Sequence, residues 1–134
     1  MQHETLTQKT IGAAFEVYNA LGFGFLESVY ERSLCIELIA AGIQIQSQVP
    51  IAVTYKNCIV GDFVADLIVG GVVIVELKSV RSLAVAHEMQ LVNYLTATGF
   101  DVGLLINFGE TKVEVKRKVR VLPNSANKAS SGDD

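Results

Sequence analysis

The sequence predicts an α/β fold: a mixed β-sheet, an antiparallel meander extended by one parallel crossover strand, flanked by α-helices. Three observations predict it. Apolar residues before Gly42 recur at helical spacing and are interrupted by glycines. From Ile43 the period falls to two and stays strand-like through three segments. A further helical stretch, Leu83 to Thr98, then separates the third segment from two more. A helix between strands suits a right-handed parallel crossover, whereas short turns join antiparallel neighbours.

The first helix is expected from the capping-box spacing of Thr5 and Gln8, with Ile11, Ala14, Phe15 and Tyr18 on its apolar side. Gly22 and Gly24 end it. A second helix begins near Phe25 or Leu26 and ends at Gly42, with Leu26, Val29, Tyr30, Leu34 and Leu38 on its apolar face. Ile43 to Val53 alternates as a half-exposed strand. Lys56-Asn57 is a turn, Cys58 to Val69 the next strand, and Gly70-Gly71 a hairpin turn. Val72 to Val80 is β-branched and nearly continuous, as in a strand buried on both faces. After the helix ending at Gly99, Val102 to Asn107 is an apolar strand. Gly109-Glu110 turns the chain into an alternating strand, Lys112 to Val121.

With 134 residues, half of them hydrophobic, the chain has material for one core, which we assign to a single domain over 1–122. The Ser/Ala/Asn/Gly-rich tail 123–134 reads as disordered. A net charge of -3 excludes a globally basic nucleic-acid binder but not a local basic patch. The polar N-terminus lacks a signal-peptide core. The most apolar stretch, Phe63 to Leu77, is broken by Asp66 and Glu76, and is shorter than the roughly 20 residues of a membrane helix. Cys35 and Cys58 match no metal or redox spacing and read as reduced, partly buried thiols of a cytoplasmic protein.

The chemistry is concentrated in Val75-Glu76-Leu77-Lys78. Glu76 and Lys78 are two apart and project from one face of a strand. Charges inside an apolar strand call for a reason, because isolated buried charges are expensive. Asp66 interrupts the preceding strand. A two-residue Gly70-Gly71 loop puts Asp66 opposite Val75, whereas a three-residue loop or a bulge puts it opposite Glu76. We expect the second arrangement. Two carboxylates about 4 Å apart repel by about 4 kcal/mol at an effective dielectric near 20. Lys78 would offset part of this, and a divalent cation more. Mg²⁺ takes hard oxygen ligands, often one or two carboxylates plus waters or phosphates. It lowers the pKa of bound water, which Lys78 could orient. A buried ion pair between Lys78 and one carboxylate fits the bare pattern equally well.

Other residues add to this set. His87, Gln90 and Tyr94 form one stripe of the last helix, beside the core-facing Leu91, Val92 and Leu95. Gln90 can bond a phosphate or a metal-bound water, although the stripe also fits ordinary boundary residues. His87 alone carries no ligand signal. Glu27 lies in the first turn of the second helix, where the helix dipole already favours a carboxylate, and Tyr30 follows one turn later. Lys112, Lys116, Arg117, Lys118 and Arg120 cluster near the C-terminus. All but Arg117 share one face, suited either to a phosphate backbone or to guarding an edge strand.

These residues resemble a known family. Gly24-Phe25-Leu26-Glu27-Ser28-Val29-Tyr30 is similar to the signature of the GxxExxY proteins, assigned to the PD-(D/E)XK nuclease superfamily. The resemblance takes in Gln48-Val49-Pro50, Ala65-Asp66-Leu67, Val75 to Lys78, His87 to Leu95 and Gly103 to Phe108, and runs from Leu6 to about Lys118. It implies a restriction-endonuclease-like core and Mg²⁺-dependent hydrolysis of DNA or RNA, with Mn²⁺ as substitute. It implies that Asp66 and Glu76 bind the metal, joined by the Leu77 carbonyl and Glu27, and that Lys78 assists the water. Gln90 and Tyr94 match a Gln-x3-Tyr element, with Tyr30 and His87 as accessory residues. The competing expectations are a silent nucleic-acid-binding module and a protein-interaction module. A domain this small has little surface beyond its core for recognition, which suits a homodimer or a partner chain.

Overall fold

A computed structural model describes residues 3–120, and the tail 123–134 lies outside them. The order is α1 (Glu4–Leu21), α2 (Glu27–Ala40), β1 (Ile45–Tyr55), β2 (Cys58–Val69), β3 (Val73–Lys78), α3 (Val85–Thr98), β4 (Val102–Phe108) and β5 (Val113–Val119). The strands form one five-stranded sheet in sequence order. The pairs β1–β2, β2–β3 and β4–β5 are antiparallel and β3–β4 is parallel, as the element order predicts.

The sheet carries a core on each face. One face packs Val73, Val75, Leu77, Leu104 and Ile106 against Ala14 and Val17 of α1 and Tyr30, Leu34 and Leu38 of α2. The other packs Ala65, Ile74 and Leu105 against Leu91 and Leu95 of α3. This explains why β3 and β4 read as unbroken apolar runs, since side chains of both parities are buried. At Gly103 in β4, a Cβ would come within 2.8 Å of Leu91 Cδ1, so the missing side chain lets α3 close on the sheet.

Several local expectations are corrected. Thr5 does not cap α1: the helix already starts at Glu4, and His3 before it makes no side-chain cap. The buried stripe of α1 is Thr7, Thr10, Ala14 and Val17, and Phe15 is exposed. The two threonine hydroxyls escape unsatisfied burial by donating to the carbonyls of Glu4 and Leu6. Leu26 precedes the first turn of α2 instead of lying on its apolar face, and is 76% exposed. Cys58 sits exposed beside the β1–β2 turn, whereas Cys35 is half-buried, and both are free thiols. Gly42 does end α2: its N–H reaches Ile39 O and the Ile43 N–H reaches Leu38 O, the paired bonds of a Schellman motif. Lys56 and Asn57 both take positive φ, as a two-residue hairpin turn between right-twisted strands requires.

Candidate active site

The β2–β3 turn sets the register. Val69 pairs with Val73, Ile68 with Ile74 and Leu67 with Val75, so Gly70, Gly71 and Val72 form a three-residue loop. Gly70 is favoured here by its backbone conformation. Its φ is +61°, and a Cβ there would meet Leu6 Cδ1 of α1 at 2.7 Å. The next step of this register puts Asp66 opposite Glu76, the arrangement expected of the longer loop.

At that step the backbone ladder ends and side chains replace it. The Asp66 N–H donates to Glu76 Oε2 at 3.2 Å, and the Leu77 N–H donates to Asp66 Oδ2 at 2.7 Å. Each carboxylate thus accepts a backbone N–H of the other strand. The ribbon also changes face here. Leu67 and Val69 join the core under α1 and α2, whereas Phe63 and Ala65 join the core under α3. β1 does the same, with Ile45 on one side and Val49 and Ile51 on the other. Residues of one parity share a face in a regular strand, so the alternation slips at Asp66 and at its neighbour in β1, Gln48. Gln48 has a φ of 52°.

Four carboxylates act on one another around this slip. Glu76 is 8% exposed, and burial, then the neighbouring Asp66 charge, pushes it up to about 8. Burial also raises Asp66, against the Leu77 N–H and the Lys78 charge, which favour its charged form. Glu27 adds to the repulsion on Glu76 from the first turn of α2. Glu31, one turn later, is raised by burial and by the charges of Asp66 and Glu27. Lys78 favours the charged forms of both Asp66 and Glu76. It does so from a distance: the salt bridges among the described residues are Arg81–Glu110, Lys118–Glu88 and Arg120–Asp101. The ion-pair alternative for Lys78 is therefore not the arrangement formed.

α3 brings Tyr94 to the same place. Its ring stacks on Phe63 of β2, with centroids 3.4 Å apart, and its hydroxyl is raised by burial and then by the charges of Glu76 and Asp66. Gln90, one turn before Tyr94 on α3, is exposed. His87 is held otherwise, its Nδ1 accepting the Ala84 N–H at the start of α3. Tyr30 is fully buried and stacks on Phe108, with its hydroxyl donating to Gly22 O and accepting the Phe25 N–H. It ties the α1–α2 turn to the core and so places Glu27. Ser79, just after β3, ties the same turn by donating to Phe25 O at 2.8 Å.

Sequence reasoning missed Glu31 and Gln48 as members of the set. Glu31 is four residues after Glu27 on one helix, a visible signal. Gln48 carried none beyond its place in a motif, because its role depends on the slip in β1. The expected basic face is reduced, since Lys118 pairs with Glu88 at 2.7 Å and Arg120 with Asp101 at 2.8 Å.

Every acid of the site, and every element but the last residue of β5, falls within the span of a family model. Residues 4–118 match the PD-(D/E)XK nuclease superfamily. No curated protein matches significantly. Among solved structures, the crystal structure of SSO0001 is similar, with a TM-score of 0.55 and 17% identity over 79% of this chain. The matched region is 55% of that protein's length, so the likeness concerns the fold of about half of it. Sheet order, the parallel β3–β4 pair and the helices on both faces agree with a restriction-endonuclease-like core, and the chain belongs to the PD-(D/E)XK nuclease superfamily.

Proposed function

We propose that this chain is a metal-dependent nuclease that hydrolyses phosphodiester bonds of DNA or RNA. The observation that carries the reading is the crossed pair of Asp66 and Glu76, with Lys78 beside them and outside any salt bridge among the described residues. A structural role alone would favour closing that lysine onto an acid, because buried charges are stabilised by partners.

The residues fit Mg²⁺. Among the described residues no group of three or more His, Cys, Asp or Glu side chains forms a cage for a metal ion. A two-carboxylate site open to water and phosphate is instead the habit of Mg²⁺, and the donors here are all hard oxygens. Asp66 and Glu76 would hold it with the Leu77 carbonyl, Glu27 would contribute from α2 without forming a three-acid cage with them, and Mn²⁺ would substitute. When bound, the cation supplies a lowered water pKa and neutralises phosphate charge. Lys78 orients the attacking water and stabilises negative charge developing on the phosphoryl oxygens. Gln90 bonds a phosphate oxygen or a bound water, with Tyr94 one turn further along the same helix. Tyr30 acts only through the placement of Glu27, and His87 through the start of α3. Gly24, Glu27 and Tyr30 carry the GxxExxY signature, and we place the chain with those proteins.

Purified protein should cleave single- or double-stranded DNA or RNA in Mn²⁺ or Mg²⁺. Glu76→Ala and Lys78→Ala should each reduce that cleavage at least about a hundredfold. Unchanged cleavage in either variant would sink the proposal. Salt-sensitive binding with no product in either metal would favour the binding module instead.

A further inference from the structure

Gln48 lies between the pairs Ser47–Leu67 and Val49–Ala65, opposite Asp66, in the middle of β1. Its φ of 52° is unusual for a non-glycine residue and costs about 1 kcal/mol or more in a strand. This conformation accompanies the change of face in β1, from Ile45 on one side to Val49 and Ile51 on the other. Gln48 Nε2 donates to Glu31 Oε1 on α2 at 2.6 Å. The residue across from Gln48 in β2 is Asp66. One amide nitrogen has two hydrogens, so it can serve two carboxylates at once without adding a charge. A glutamate there could donate to neither.

The geometry points to Gln48 as a positioning residue for Asp66, clamped from behind by Glu31. Glu31 holds the Gln48 amide through its hydrogen bond, and the second amide hydrogen is then placed to serve the Asp66 carboxylate, which already accepts the Leu77 N–H. This rests on the proposed metal role of Asp66 and adds the partners that aim it. Hydrogen-bond partners of metal-ligating groups typically contribute ten- to a hundredfold in affinity. The slip in the ribbon then has a use, since it turns a mid-strand glutamine towards α2.

The test is Mn²⁺ calorimetry with thermal melts on the wild type, Gln48→Gly, Glu31→Ala, the double variant and Glu76→Ala. Glycine is at ease at positive φ, so Gln48→Gly keeps the backbone and removes only the side chain. It should melt no lower than the wild type yet bind Mn²⁺ at least about tenfold more weakly. Glu31→Ala should also weaken binding, and the double variant should be no weaker than Gln48→Gly alone, because the two residues act in series. Gln48→Asn, tolerant of positive φ but too short to span both acids, should show the same loss and serves if the glycine variant does not fold. Wild-type affinity in Gln48→Gly, with binding abolished in Glu76→Ala, would overturn the positioning role and leave the metal site standing. Absence of binding in the wild type would overturn both.

Discussion

Glu76 shows how one residue can strain a fold for a use. Its carboxyl is pushed up to about 8 from the ordinary carboxylate range. A raised folded-state pKa means that folding favours the protonated form. The associated stability is full below the unfolded value near 4.5 and is lost as pH rises through about 8. Glu76→Gln keeps an acceptor for the Asp66 N–H and removes the charge. In metal-free buffer it should therefore be more stable than the wild type, with the gap growing between pH 5 and pH 8 to about 2 kcal/mol or more. Urea melts at the two pH values check this, and a constant gap would count against it. Asn107 is a contrasting case in which burial is fully compensated. It accepts the Val80 N–H and donates to Val80 O and Glu114 Oε1, all at 2.9 Å. Asn107→Ala should lower stability by about 2–3 kcal/mol in a urea titration, because it strands several buried partners. The acids and Lys78 were legible in the sequence because each breaks an apolar strand. Gln48 and Glu31 were not, because their significance lies in a bond between a strand and a helix 17 residues apart.

At the scale of elements, pattern identified every helix and strand, and the errors fell at ends and faces. The longer β2–β3 loop was the decisive local choice, since a one-residue change of register would have separated Asp66 from Glu76. Gly70 favours it through its positive φ. Helix starts were misread because Leu26 and His3 supply no side-chain cap, and the start of α3 is capped from within by His87 instead of by Ala84 before it. The stack of Phe63 on Tyr94 joins β2 to α3 beside the acids. Phe63→Ala should destabilise the fold by about 2–3 kcal/mol in thermal or urea melts, through lost burial and the lost ring pair.

For the whole molecule, the site lies where the two cores meet. β3 presents alternate residues to each, and β1–β2 crosses from one to the other at Gln48 and Asp66. Beyond that point the β1–β2 ribbon is no longer paired to β3 and exposes Tyr55, Ile59, Val60 and Val64. No helix among the described residues is long and apolar enough to cross a membrane. The basic strand looked from sequence like a phosphate-binding face, but its partners come from α3 and from Asp101, which periodicity cannot reveal. Lys118→Ala should change stability by less than about 1 kcal/mol in a urea titration, since this pair is partly open to water.

The central claim is that Asp66 and Glu76 together form a divalent-cation site. Mn²⁺ calorimetry on the wild type and on folded Asp66→Ala and Glu76→Ala variants tests it without a choice of substrate. The account predicts one binding event in the wild type and its loss in both variants. Equal binding in all three proteins would contradict it.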